Sequence, residues 1–142
     1  TYDPVDAVVK ILSDNWPEEV SRPTIGKLYE FKQIDLRAGD YVLVGRVNER
    51  QEFLGIGGLE YSRYVSVEII VQTMESRERA LELINRVRGI IRLKENWVYE
   101  QGGDSWLLLN MILRRVNDRS EIERGIYSFV GEVEWFTIEV TV

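Results

Sequence analysis

Glu132 and Glu134 stand two residues apart in a segment that reads as a strand, and Glu68 lies on a nearby strand-like segment. Side chains two apart on a strand share a face. Carboxylates placed that way could act as the acid and base of a glycoside hydrolase. The plainer reading is the solvent side of an alternating strand. Gly55, Gly57 and Gly58 give Gly55 to Gly58 the glycine density of a phosphate-cradling loop, yet no lysine and no helix follow. Asp35, Asp40, Asp104, Asp118, Glu121 and Glu123 could meet a hard cation, but none follows the acid spacing of a calcium loop.

What is missing narrows the chemistry further. The 142 residues contain no histidine and no cysteine. The usual base for an activated serine is therefore lacking, none of the eight serines sits in a nucleophile-elbow context, and only Lys10, Lys27, Lys32 and Lys94 could serve a serine–lysine dyad. Zinc loses its preferred ligands and disulfides are impossible. These counts lead to an expectation of no catalytic residues, no metal, no cofactor and no enzymatic activity, with a carboxylate-dependent hydrolase as one alternative.

The elements that must position these residues follow from pattern. A chain of this length has the size of one domain, and the expectation is a single α+β domain over residues 1–142. No apolar run approaches the roughly 20 residues that span a bilayer, and the segment from Thr1 to Lys10 lacks the basic start of a signal peptide. The net charge of −6 argues against a nucleic-acid binder. Arginine outnumbers lysine 14 to 4, a bias that fits either genome composition or protein–protein contact.

Asp3 is placed to cap a first helix with Pro4 at its first position, and Trp16-Pro17 ends it. Gly26 to Gln33 and Tyr41 to Val47 read as strands joined in a hairpin through the turn at Ala38-Gly39-Asp40. The second of these is apolar enough for a strand buried on both faces. Tyr61 to Thr73 alternates cleanly, with Val65, Val67, Ile69 and Val71 on one side. Ser76 is the plausible cap of a second helix running to about Lys94. Its apolar stripe is Ala80, Leu83, Ile84, Val87, Ile90 and Ile91, with Arg79, Arg86, Arg88 and Arg92 on other faces and Gly89 placed for close approach to the sheet. Trp106 to Val116 reads as a strand with Leu107, Leu109, Met111 and Leu113 on one face. Tyr127 to Val140 reads as another, with a parity switch that implies a bulge near Trp135. The order α-β-β-β-α-β-β points to a mixed, mainly antiparallel sheet with two helices packed on one face.

Two places stand out as apolar without an evident core role. The glycine-rich stretch from Asn48 to Leu59 reads as a loop carrying Phe53, Leu54, Ile56 and Leu59, and Trp97 stands in a polar stretch after the second helix. These five residues are the candidate protein interface, because aromatic and apolar side chains anchor such contacts.

The strand from Tyr64 to Thr73 (YVSVEIIVQT) running into Glu78 to Arg88 (ERALELINRVR), with the opening helix and the closing strands, resembles tail terminator and related tail-completion proteins of long-tailed phages. The resemblance spans nearly the whole chain and brings no catalytic residues. It implies a homo-oligomeric ring, commonly a hexamer, that caps the tail tube, stops its growth and offers the head connector a surface. It implies tail tube protein and head connector protein as partners, and a place in the tail or neck of a virion assembled in the host cytoplasm. DNA would pass through such a ring without specific binding or a membrane being involved, although no basic lining is evident in the sequence. The other reading is a cellular ligand-binding or regulatory α+β module, which requires a closed apolar pocket.

Overall fold

The Asp3 side chain accepts the Val5 amide and Pro4 takes the first turn, so α1 forms over Pro4–Asn15. It stops at Trp16, which is extended as the residue before a proline must be. The computed structural model describes residues 2–53 and 60–140, and only the backbone at 51–53, 60–62 and 138–140. It contains β1 (Thr24–Lys27), β2 (Tyr41–Phe53), β3 (Glu60–Thr73), α2 (Arg77–Leu93), β4 (Trp97–Gln101), β5 (Asp104–Asp118) and β6 (Tyr127–Val140). The fold is α+β, in the order read from the sequence, with the short strand β4 added after α2. Gly102 and Gly103, both at positive φ, turn β4 into β5 between the paired Gln101 and Asp104, the backbone a two-residue hairpin needs.

The sheet runs β1-β2-β3-β6-β5-β4 and is antiparallel except where β1 meets β2. Both helices pack on one face. There Val42, Val44, Val65, Val67, Ile69, Val71, Val133 and Trp135 meet the α1 residues Val8, Ile11 and Leu12 and the α2 stripe Ala80, Leu83, Ile84, Val87, Ile90 and Ile91. Each fully buried aliphatic side chain contributes roughly 1.5–3 kcal/mol, so this layer is the main source of stability. Ser76 caps α2 by accepting the Arg79 amide.

Several expectations are corrected. Gly26 to Gln33 is not one long strand in a hairpin. β1 ends at Lys27, a 3-10 turn takes Leu28–Glu30, and β1 pairs parallel to β2. The connection crosses the sheet face away from the helices. Leu28 fills the space over Gly45, where a Cβ would come within 2.9 Å of it, and Phe31 meets Tyr41 edge-on at 5.7 Å. That covering buries Leu43, which is why β2 reads as apolar on both faces. Residues 48–53 are not loop: β2 continues to Phe53 against Tyr61, after a register shift between Val44 and Val47. β6 has no bulge at Trp135, since it pairs with β3 in unbroken register from Tyr127 to Val140. The shifts lie on β5 instead, between Leu109 and Ile112 and between Arg114 and Asn117, with Asn110 and Arg115 at positive φ. The first changes the parity of β5, so Leu108, Met111 and Leu113 are buried while Leu107 is exposed. Gly89 faces solvent, and nothing lies within 4 Å of where its Cβ would be. Arg79 is buried rather than on an outer face.

Candidate functional site

Among the described residues, the face of the sheet away from the helices is covered by the 28–40 connection near β1 and the start of β2, and is open beyond. Beyond the shift in β2, alternation and register set the exposed rows. One row runs Arg50, Tyr64, Phe136, Leu109; the next Asn48, Ser66, Glu134, Ile112; a third Glu68, Glu132, Arg114. All of these but Leu109 and Glu68, together with Arg115, line an open trough of about 680 Å³.

The trough alternates charge and ring. The Arg50 guanidinium lies 5.0 Å from the Tyr64 ring centre, and Tyr64 packs on Phe136 at 5.8 Å, a cation–π contact continued into an aromatic pair. Glu68 sits directly opposite Glu132, a like-charge pairing that is unfavourable alone. Arginines on the neighbouring strands offset it: Arg46 is 3.8 Å from Glu68, Arg115 is 3.1 Å from Glu132, and Arg114 is 3.5 Å from Glu134. The bulges of β5 place Arg114 and Arg115, consecutive in sequence, beside two different glutamates. The carboxylates singled out from the sequence are thus brought together, each facing an arginine. Among the described residues no three His, Cys, Asp or Glu side chains are grouped to hold a metal ion.

These pairs are half exposed, and pairs of that kind contribute about 0–1 kcal/mol. Arg115→Ala is therefore expected to lower the unfolding free energy by less than about 1 kcal/mol in urea titration. A larger loss would show the ladder to be part of what holds β5 to β6. Cheaply held, the arginines can exchange intramolecular partners for those of another molecule.

Exposed apolar side chains adjoin the ladder. Val98 and Leu107 pair across β4 and β5, and both are exposed, as is Ile112. Trp97, expected as an exposed anchor, is half buried. It packs against the edge of the core with its ring 5.6 Å from Tyr99. Of the other expected interface residues, Phe53 ends β2 opposite Tyr61 and its side chain lies outside the description, while Leu54, Ile56 and Leu59 lie outside the described residues. Sequence reading missed Arg46, Arg50, Tyr64, Ile112, Arg114, Arg115 and Phe136. The alternation of β3 and β6 was a signal for Tyr64 and Phe136. The arginine partners depend on strand register, which has no local signal.

No helix is long and apolar enough to cross a membrane among the described residues. Compared with protein-family models and with curated proteins, the chain matches none.

Proposed function

We propose that this chain is a virion assembly protein: a ring-forming tail terminator or tail-completion protein that caps the tail tube and joins it to the head. The observation that supports an assembly role is the sheet face opposite the helices. A sheet face left open in a small α+β domain is normally polar. Here it carries Tyr64, Phe136, Leu107, Ile112 and Val98 among arginine–glutamate pairs. Aromatic residues and arginine over lysine are the composition of interface surface. The trough is wide and open, suited to a protein segment rather than to an enclosed small molecule. The phage-tail assignment itself rests on the resemblance of the strand-into-helix stretch from Tyr64 to Arg88.

In this reading the open face meets the tail tube or the head connector. The purified protein is expected to form rings in light scattering and negative-stain microscopy, and to bind tail tube protein. Ile112→Arg, at an exposed position, is expected to weaken that binding by roughly tenfold or more, since it places a desolvated charge in the contact, with no change in thermal midpoint. A protein that stays monomeric at high concentration and ignores tail tube protein would overturn the proposal.

A further inference from the structure

The outer surface of the helix layer is divided by charge. From Leu83 to Lys94 the sequence has no acidic residue. Arg86, Arg88 and Arg92 are exposed there, Lys94 follows at the C-cap, and none of the four has an ion-pair partner among the described residues. Among the described residues, Arg88 makes one side-chain hydrogen bond, to Asn85 at 2.6 Å. Arg88 and Arg92 stand four apart, a like-charge spacing that costs helix stability. The helix dipole favours cations only in the last turn, which accounts for Arg92 and Lys94 but not for Arg86 and Arg88.

The other end of the same layer is mainly acidic. Glu78 lies in the first turn of α2, after Arg77, which pairs with Asp118 at 3.7 Å, and Glu18 and Glu19 lie in the turn after α1; all three glutamates are exposed and lack ion-pair partners among the described residues. Arg79 ties the two segments together through its hydrogen bond to the Ser21 carbonyl at 2.6 Å. Arg22, nearby, donates to the Ser13 carbonyl. From Glu78 to Arg92 the helix axis advances roughly 21 Å, so the two patches are separate.

Gly89 and Leu93 lie at the basic end. A glycine inside a helix costs roughly 1 kcal/mol relative to alanine. No close packing within the chain calls for one here, because nothing lies within 4 Å of the missing Cβ. It leaves a notch in the solvent face between Asn85 and Arg92. Leu93 beside it is 84% exposed.

Resting on the assembly reading above, we propose that the helix layer carries both halves of a head-to-tail contact between copies of this chain. The basic end of one copy, Arg86, Arg88, Arg92 and Lys94 around the Gly89 notch, seats against the acidic end of the next, Glu18, Glu19 and Glu78. Two different patches on one subunit make a heterologous contact, the kind that closes into rings. Opposite charge sets its register, and the exposed leucine supplies apolar area.

Two double reversals test this: Arg88→Glu with Arg92→Glu, and Glu18→Arg with Glu19→Arg. All four positions are exposed, and thermal midpoints serve to confirm that both variants fold. Each variant alone is expected to lose self-association by roughly a hundredfold in dissociation constant, because like charges then face each other. An equimolar mixture is expected to reassociate, acidic-ended copies alternating with basic-ended ones. If wild type forms rings and both variants still do, or if the mixture fails to recover, this contact is wrong while the assembly function stands. If R88E/R92E assembles like wild type but loses binding to a short DNA duplex, the basic end serves a polyanion and the contact is again wrong. If wild type is monomeric at high concentration, the contact and the assembly reading fall together.

Discussion

Arg79→Ala is expected to cost about 3 kcal/mol of folding stability, read as a lower urea midpoint at unchanged slope. The side chain is only 7% exposed, and its guanidinium joins three segments. Nε donates to Asp40 Oδ2 at 2.7 Å, one terminal nitrogen donates to Glu82, and the other donates to the Ser21 carbonyl at 2.6 Å. Asp40 also accepts the Thr73 hydroxyl at 2.5 Å. One arginine thus fastens α2 to the loop after α1 and to the start of β2, where it lies beside the end of β3. Burial works against its charge, but the bonds to Asp40 and Glu82 outweigh that and leave its pKa above the usual arginine value. Truncation leaves the Asp40 carboxylate half-satisfied beneath the helix, and an uncompensated buried charge dominates the cost. Removing both partners in Arg79→Met with Asp40→Asn is expected to cost less than Arg79→Met alone. Arg79→Lys keeps the charge but cannot span three acceptors, and should fall between wild type and alanine. A loss below about 0.5 kcal/mol for Arg79→Ala would be within the range of an ordinary surface residue and would contradict this account.

Arg79 also shows where sequence reading stopped. The period of α2 placed its apolar stripe correctly because every residue in that stripe packs on the sheet. Arg79 sits beside the stripe, and only the arrival of Asp40 and Ser21 from elsewhere makes it interior. Caps, the proline stop of α1 and the alternation of β3 were legible because their causes lie within a few residues. Bulges were not. Asn110 and Arg115 take positive φ without being glycine, so nothing local announces that β5 changes parity at the first. The parallel pairing of β1 was hidden for a similar reason: it depends on Leu28 and Phe31 folding over Gly45 and Gly26, and no pattern within the two strands records that. The candidate site was half legible. Glu132 and Glu134 could be placed on one face by alternation, but their arginines come from β5 through the shifted register. Alone the glutamates read as the solvent side of a strand, with a hydrolase pair as the alternative; with their partners they form a charge ladder.

Trp135→Ala should be the more damaging change, at about 3–5 kcal/mol. The indole is 3% exposed in the helix-side core, and its Nε1 donates to the Tyr2 hydroxyl at 2.8 Å. Tyr2 Oη in turn lies 3.1 Å from Thr137 Oγ1, and its ring packs on Tyr99 at 5.7 Å and Trp106 at 5.2 Å. Loss of the indole therefore removes a large buried side chain and strands one partner of a buried polar network that pins the residues before α1 to β6. Trp135→Phe keeps most of the packing and isolates the network, at about 1–3 kcal/mol. The network has an alkaline signature as well. Burial pushes the Tyr2 phenol up against the lowering pull of its bonds to Thr137 and Trp135. Its folded pKa thus exceeds its unfolded value of about 10, so the fold favours the neutral phenol. That contribution is fully present below the unfolded pKa and is lost as pH rises through the folded one. Wild type should then lose more stability in the alkaline range than Tyr2→Phe, in which Tyr99, also pushed up by burial, still titrates, and tyrosinate absorbance should show Tyr2 titrating late. Equal alkaline slopes for the two proteins would mean that Tyr2 ionises freely.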